Sequence, residues 1–476
     1  MRVALLTSEA VPFAKTGGLA DVSGALPKAL GEYDVDARLF LPLYDQIDPG
    51  LLTSTVVDGV PVEWRGRVHQ VRVWQSDAVG APAYLIEAPE FFARSSIYGF
   101  GDDHIRFAFF SRASLALLKH LHWQPDIVHG NDWPCGFAVA ELRSRRRYDP
   151  FFQNTKSLFS LHNVGYQGLF DPADLWWLGF GDPPDSNDFM FNRSASALKA
   201  GIAAAEAIST VSPRYAQEIQ THEQGHGLDW LLRLQADRLS GITNGVDYET
   251  WNPATDPHIA ANYSVSDIKA KRLCKLDLLR RFGLPEDTSR PIIATISRLV
   301  AQKGYDLIRQ VAHDIQETGA IFIALGTGAR EYEDFLQSWR DRAPTQVGVY
   351  KGYAGEPLAH QIEAGADIFL MPSLYEPCGL NQMYSMRYGT VPIVRATGGL
   401  DDTVEQFDAV KNTGTGFKFG PYDGWALLEK IREALYFYRQ SDKWARIQHN
   451  GMLVDNSWTA AAGKYVQLYS AINNLW

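Results

Sequence analysis

Short apolar runs recur along this chain and alternate with longer stretches in which the apolar residues have helical spacing. Runs of this kind are typical of strands that are buried on both faces of a parallel sheet. They predict strands at 3–8, 36–42, 126–129, 156–161, 207–211, 242–246, 291–297, 320–325, 347–350, 366–372 and 391–395. Because the strands alternate with helices, we expect doubly wound α/β sheets.

Two segments differ from this pattern, and one region interrupts it. Residues 68–74 and 83–87 alternate between apolar and polar, which predicts an antiparallel pair of strands. Helical spacing predicts helices at 21–30, 107–121, 268–282 and 460–475. The alternation loosens at 250–263, where Trp-Asn-Pro and Asp-Pro occur. We therefore place a boundary between two Rossmann-like halves within 243–256.

Polar and glycine-rich segments follow several predicted strands, at the sheet edge where ligands of such folds bind. The clearest is Lys15-Thr16-Gly17-Gly18, which lies between the first strand and the first helix. Glycine lets the backbone approach a ligand closely, and a helix N-terminus attracts anions. The segment therefore suits a diphosphate, although a tight turn beside a solvated lysine accounts for it equally well. It matches neither GxGxxG nor GxxxxGK[ST].

The second half has its own candidate anion site. Arg298 and Lys303 follow a predicted strand, and their two cations suit a diphosphate leaving group. A pair of surface cations is the alternative. Gly379 and Leu380 begin another helix and have backbone amides to offer a phosphate. Glu376 has the chemistry to hold a sugar hydroxyl, or it is a carboxylate favoured by the helix dipole alone.

The charge and cysteine content exclude several classes of protein. The 45 Lys and Arg against 55 Asp and Glu give a formal charge of −10, so we expect no nucleic-acid partner. Cys135, Cys274 and Cys378 have no CxxC spacing, which predicts a reducing compartment and no structural zinc. Neither a leader pattern nor a membrane-spanning run is present, so we expect a cytoplasmic protein with no membrane partner.

The sequence also predicts no metal site and no cofactor. No HExxH and no clustered His and Cys spacing occurs, and the adjacent pairs Asp102-Asp103 and Asp401-Asp402 point apart on regular structure. This favours catalysis in which cations of the protein stabilise a leaving phosphate.

Eight segments taken together in this order carry a family resemblance across nearly the whole chain. They are KTGGLADV at 15–22, HGNDW at 129–133, HNVGYQG at 162–168, TNGVD at 243–247, SRL at 297–299, EPCGLNQ at 376–382, RYGTVP at 387–392 and TGGL at 397–400. The chain resembles the bacterial glycogen synthases and plant starch synthases, retaining glycosyltransferases that use ADP-glucose.

The resemblance implies a GT-B type fold of two Rossmann-like doubly wound α/β domains that face each other across a deep cleft. We expect an acceptor-glucan domain at 1–245 and an ADP-glucose domain at 246–456. A C-terminal helix at about 457–476 is expected to pack back on the first domain.

The same resemblance implies roles for individual residues. It assigns catalysis to His162, Arg298, Lys303 and Glu376. It assigns ADP-glucose binding to Lys15, Gly17, Gly18, Asn244, Tyr353, Cys378, Gly379, Leu380 and Thr390. It assigns the acceptor glucan to Glu9, Tyr98, Asp132, Asn163 and Tyr166. From its residues alone, Tyr353 fits stacking on a base or covering the rim of a core, and Cys378 is better explained as a small buried hydrophobe than as a nucleophile.

The implied reaction is transfer of glucose from ADP-glucose to the non-reducing end of an α-1,4-glucan, with retention and without a metal ion. One alternative is a retaining transferase of the same fold that uses UDP-glucose or a small acceptor such as fructose. Another is a catalytically silent glucan-binding protein. A nucleotide-dependent oxidoreductase is disfavoured because no GxGxxG follows the first strand of either half.

Overall fold

A computed structural model describes residues 1–352 and 355–474 of the chain, without the side chains of residues 55, 56 and 356. The chain divides into two compact units. The first contains Met1–Gly245 together with the segment that begins at Trp458, and the second contains Val246–Ser457.

A large sheet forms the centre of the first unit. The strands of this unit, numbered along the chain, are β1 (Arg2–Leu6), β2 (Asp36–Pro42), β3 (Ser54–Trp64), β4 (Arg67–Ser76), β5 (Ala83–Glu87), β6 (Ile127–Asn131), β7 (Lys156–Leu161), β8 (Leu169–Phe170), β9 (Met190–Phe191), β10 (Ser194–Ser196), β11 (Ala207–Thr210) and β12 (Leu239–Gly241). Nine of them form one sheet in the order β12-β11-β7-β6-β1-β2-β5-β4-β3, and β8, β10 and β9 form a small antiparallel sheet.

Helices connect the strands of this unit. They are α1 (Gly18–Gly31), α2 (Pro89–Phe92), α3 (Asp103–His120), α4 (Asp132–Arg145), α5 (Asp174–Leu178), α6 (Asp185–Phe189), α7 (Ala197–Ala204), α8 (Pro213–Glu218) and α9 (Asp229–Leu234). Neighbouring strands of the large sheet are parallel except where β4 pairs with β5 and with β3. The crossover helices between parallel strands are what a doubly wound sheet requires.

The second unit is a parallel sheet of six strands. They are β13 (Ile292–Ile296), β14 (Ile321–Gly326), β15 (Val347–Lys351), β16 (Ile368–Met371), β17 (Val391–Arg395) and β18 (Phe417–Phe419), in the order β15-β14-β13-β16-β17-β18. Its helices are α10 (Lys271–Arg281), α11 (Tyr305–Gln310), α12 (Ala312–Glu317), α13 (Arg330–Arg342), α14 (Glu356–Gly365), α15 (Asn381–Arg387), α16 (Gly398–Thr403), α17 (Gly424–Tyr438) and α18 (Ser441–Met452).

Successive residues of these strands enter two separate hydrophobic cores. Ile293 and Phe322 pack in one core, whereas their neighbours Ile292 and Ile323 pack in the other. Since side chains alternate across a strand, this shows that helices cover both faces of the sheet. Burial on both faces is also the reason that the strands are continuous apolar runs in the sequence.

The C-terminal helix α19 (Trp458–Asn473) belongs to the first unit. It packs against α1. The hydroxyl of Tyr469 lies 2.8 Å from Nδ1 of His129, and both residues are fully buried. The other ring nitrogen of His129 lies 2.6 Å from Oγ of Ser160 on β7. A buried polar chain therefore joins α19 to two strands of the sheet.

Except for the strand at 242–246, the predicted parallel strands are confirmed, and those at 156–161 and 391–395 have the predicted bounds. The antiparallel pair is also confirmed as β4 and β5. The strand predicted at 242–246 is wrong, because the strand beside β11 is Leu239–Gly241 and the following residues leave the sheet. The edge strand β3, which pairs with β4, was not predicted.

Candidate active site

A pocket of about 210 Å³ lies in the second unit, at the carboxyl ends of β13 and β16. Its lining includes the side chains of Arg298, Lys303 and Glu376, together with Gly379 and Leu380. Parallel sheets bind ligands at this edge because the loops that follow the strands converge there. The fold therefore brings these five predicted site residues together.

Lys303 and Glu376 contact each other directly in this pocket. Nζ of Lys303 donates to Oε2 of Glu376 at 2.5 Å, and Oγ of Ser373 donates to the same oxygen at 3.1 Å. Arg298 is exposed, and within the described ranges its guanidinium has no hydrogen-bond or ion-pair partner. One cation of the pocket is thus neutralised by a carboxylate and the other remains for an anionic ligand.

Contacts from neighbouring segments fix the loop that carries Glu376. The amide of Leu374 donates to the carbonyl of Gln302 at 2.8 Å, and Nε2 of Gln302 donates to the carbonyl of Tyr375 at 3.1 Å. Nη1 of Arg395 donates to the carbonyl of Leu374 at 2.7 Å. Sequence reasoning missed Gln302 and Arg395, because their role depends on three segments meeting after β13, β16 and β17.

Glycine residues allow these segments to pack closely against one another. Gly304 has a φ of +77°, and a Cβ there would overlap the carbonyl oxygen of Pro372. Gly398 has a φ of +44°, and a Cβ there would overlap the carbonyl oxygen of Glu376. The amide of Gly399 donates to that same carbonyl at 3.1 Å. The TGGL segment, which sequence reasoning left without a role, therefore supports the Glu376 loop.

Four other residues predicted to bind the donor are placed as follows. Cys378 is buried beside Gly379. Thr390 lies in a buried network, where it accepts from Nζ of Lys271 at 2.7 Å, and it does not line the pocket. Asn244, in the first unit, is buried with an Oδ1 that has no partner among the described residues. Tyr353 lies outside the described residues.

The Gly17-Gly18 loop of the first unit is organised by Glu9. The carboxylate of Glu9 accepts hydrogen bonds from the amides of Thr16 and Gly17, at 2.5 and 3.1 Å. Nζ of Lys15 contacts Asp21 at 2.6 Å. A Cβ on Gly17 or Gly18 would have no atom within 4 Å, so the packing of the chain does not itself require either glycine.

His162 and Asp132 form a second group in the first unit. Oδ1 of Asp132 accepts from the amide of His162 at 2.7 Å, and Nε2 of His162 lies 3.0 Å from Oδ1 of Asn131. Because Nδ2 of Asn131 donates to the carbonyl of Leu6, its oxygen faces the ring, and Nε2 of His162 must carry the hydrogen. Burial lowers the pKa of His162 to about 4, so its imidazole is neutral at neutral pH.

The electrostatics of Asp132 are set by the same burial. Burial raises the pKa of Asp132 to about 7, and the nearby charge of Glu9 adds to this rise, although the amides of His162 and Asn163 donate hydrogen bonds to the carboxylate and oppose it. Asp132 begins α4 with a φ of +53°. Its carboxyl group therefore changes protonation near neutral pH.

The remaining residues predicted to bind the acceptor differ in their surroundings. The hydroxyl of Tyr98 lies 2.7 Å from both Ser8 and Glu9. Oδ1 of Asn163 accepts from the amide of Gly165, and Tyr166 is 59% exposed. Tyr98 is therefore hydrogen-bonded to Glu9, and the amide of Asn163 is hydrogen-bonded to Asp132, whereas Tyr166 is exposed to solvent.

Three arginines of the basic run at 143–147 are paired with acidic residues. Arg143 contacts Asp188, Arg145 contacts Glu141, and Arg146 contacts Glu206. Among the described residues, no helix has the length and apolar character needed to cross a bilayer. In the same part of the chain, no group of three or more His, Cys, Asp or Glu is arranged to hold a metal ion.

Comparison with known proteins gives the class of this chain. The family model described as the starch synthase catalytic domain matches residues 2–234, and the model described as glycosyl transferases group 1 matches residues 279–450. A sucrose-phosphate synthase from Thermosynechococcus elongatus is 18% identical with a TM-score of 0.63 over 99% of this chain and 98% of its own, which shows the fold alone. With its two Rossmann-like α/β domains, the chain is a glycosyltransferase of the GT-B type.

Full-length relatives narrow the class further. The chain is 43% identical to glycogen synthases of Geobacillus thermodenitrificans, over 99% of this chain and 98% of that one, and of Koribacter versatilis, over 98% of each. The catalytic domain of starch synthase IV from Arabidopsis thaliana, solved bound to ADP and acarbose, is 32% identical with a TM-score of 0.90 over 100% of this chain and 99% of its own. The chain belongs to the glycogen and starch synthase family, as its motifs predicted.

Proposed function

We propose that this protein is a glycogen synthase. It transfers glucose from ADP-glucose to the non-reducing end of an α-1,4-glucan with retention of configuration. Membership of the glycogen and starch synthase family supports the reaction class. The observation that carries the assignment is the pocket that holds Arg298, Lys303 and Glu376 at the carboxyl ends of β13 and β16.

The donor proposal rests on the charges in this pocket. Arg298 is unpaired within the described ranges, and the ammonium group of Lys303 forms an ion pair with a single carboxylate, that of Glu376. Two cations in one pocket suit a nucleoside diphosphate. The starch synthase IV structure was solved bound to ADP, which supports the adenine nucleotide as donor.

The chemical step that we propose depends on charge stabilisation. As the bond between the anomeric carbon and the phosphate stretches, Arg298 and Lys303 stabilise the negative charge that develops on the leaving diphosphate. Glu376 binds a hydroxyl of the transferred glucose and keeps Lys303 in place. The departing phosphate oxygen takes the proton of the acceptor hydroxyl on the same face, so configuration is retained.

We assign the acceptor glucan to the first unit and the pocket for the donor diphosphate to the second. His162 acts as a neutral imidazole against the glucose, since burial holds its pKa near 4. Asp132, Asn163 and Tyr166 are proposed to contact the glucan, and Tyr166 is free in solvent to stack on a sugar. Lys15, Gly17 and Gly18 remain proposed donor ligands, and a cytoplasmic location remains a prediction.

The test is release of ADP from ADP-glucose, with and without glycogen, in the presence of EDTA. We expect release that depends on glycogen and survives EDTA. Release only from UDP-glucose, or only with an added divalent metal, would keep the fold and overturn the donor or the metal-independent mechanism. Binding of glycogen with no release from either donor would show a silent glucan-binding protein.

A further inference from the structure

The carboxylate of Glu9 is the centre of a hydrogen-bonded group in the first unit. Oε2 accepts from the amides of Thr16 and Gly17, at 2.5 and 3.1 Å. Oε1 accepts from Oγ1 of Thr16 at 2.8 Å and from the hydroxyl of Tyr98 at 2.7 Å. Only 4% of Glu9 is exposed, so the carboxylate is withdrawn from solvent.

These four donors use the whole acceptor capacity of the carboxylate. An ionised carboxylate has two oxygens and about four lone-pair sites, and it has no hydrogen to donate. A hydroxyl of a glucan would therefore find no free acceptor position on Glu9. The acceptor-binding role predicted for Glu9 from the family resemblance is hard to reconcile with this geometry.

We infer that Glu9 is a positioning residue, which holds the Thr16-Gly17 segment so that Gly18 and Lys15 can bind the donor. This inference rests on the proposed function. The carboxylate also occupies the amides of Thr16 and Gly17. Binding of phosphate at this loop then depends on Lys15 and on the first amides of α1, which have no partner within the helix.

If Glu9 acts only by holding the loop, the shape and hydrogen bonds of its side chain should matter, whereas its charge should not. Glutamine at position 9 has the same shape, and its carbonyl oxygen accepts from the two amides. Its NH₂ group donates to the hydroxyl oxygens of Thr16 and Tyr98. Alanine removes every one of these contacts, and the amides of Thr16 and Gly17 then lose their acceptor.

Two variants and two readouts test this. Lys15 is 49% exposed, so trypsin can cleave after it once the loop opens. For Glu9→Ala we expect the peptide that ends at Lys15 to form at least about tenfold faster. We also expect kcat to fall by about 10–100-fold, with the KM for glycogen nearly constant. Glu9→Gln should restore the resistance to trypsin and most of the lost kcat. Glu63→Ala, on the exposed side of β3, is the control carboxylate and should match the wild type.

Three outcomes would overturn the inference. Glu9→Gln with wild-type trypsin resistance but a kcat as low as that of Glu9→Ala would show that the charge matters. Glu9→Ala that raises only the KM for glycogen would show direct sugar binding. Glu9→Ala that equals the wild type in both readouts would show that the loop is held without it. Because the trypsin readout needs no substrate, it tests the positioning even if the wild type fails to transfer glucose.

Discussion

Replacing Gly398 by alanine tests whether the position of the Glu376 loop controls the reaction. A Cβ at Gly398 would fall about 1 Å inside the 3.0 Å that such carbons keep from other atoms, against the backbone oxygen of Glu376. The backbone of Glu376 must therefore move by about 1 Å. A misplacement of that size at a reacting centre costs about 100-fold in rate.

The same substitution also strains the backbone, and a control isolates that effect. Gly398 has a φ of +44°, where alanine costs about 1–2 kcal/mol. Gly283 has a φ of +64°, but a Cβ there would meet no atom within 4 Å. Gly283→Ala therefore carries the backbone strain of Gly398→Ala without the displacement of the loop.

Initial rates of ADP release and thermal unfolding curves distinguish the two effects. Both variants should lose a few degrees in Tm. Only Gly398→Ala should lose about 100-fold in kcat. Wild-type kcat in a folded Gly398→Ala protein would refute the reasoning, and so would an equal loss of kcat in Gly283→Ala.

Three further changes test other parts of the account. Lys303→Ala should lower kcat by about 10²–10³, because one stabilising charge on the leaving diphosphate is lost; an increase in KM alone would show a binding role only. Arg395→Met removes the donor to the Leu374 carbonyl and should lower kcat by about tenfold with little change in Tm; an unchanged kcat would show that the loop is held without it. Burial lowers the pKa of His129 from 6.5 to about 3, so below pH 6.5 the unfolded chain binds a proton that the folded chain does not. Between pH 7 and pH 5 this should remove about 2 kcal/mol of stability. His129→Gln should therefore show a shallower fall of Tm with acid, and equal slopes would contradict the assignment.

The parallel strands could be predicted because strands buried on both faces are continuous apolar runs in the sequence. The strand at 391–395 is apolar on both faces, and its residues enter the core of a sheet covered by helices. The edge strand β3 has no such run, because it contains Gly59 and Pro61 and its apolar and polar residues alternate irregularly. Its place depends on pairing with β4, which a scan for apolar runs does not detect.

The candidate site was predictable in its residue types but not in its contacts. The motifs around Arg298, Lys303 and Glu376 identified the pocket residues. No pattern in the sequence indicated that Lys303 would contact Glu376 or that Arg395 would hold the loop. Those contacts arise where segments distant in the chain converge. The feature of the sequence that could have indicated these contacts is glycine at 304, 398 and 399, since the backbone packs closely against other segments at these positions.

The same limit applies in the first unit. The KTGGLADV segment indicated an anion site at the start of α1, but not that Glu9 already binds two of its amides. The carboxylate lies in the turn after β1, and its hydrogen bonds follow from the fold of that turn. Local sequence identified the loop, whereas tertiary structure identified the group that organises it.

The most direct test of the central claim follows the transferred glucose itself. Glycogen is incubated with the protein and ADP-glucose that is radiolabelled in the glucose. The product is then digested with β-amylase, which removes maltose from the non-reducing ends of α-1,4-linked chains. The account predicts that the label enters glycogen and is released as maltose. Failure of the label to enter glycogen, or label that β-amylase does not release as maltose, would contradict it.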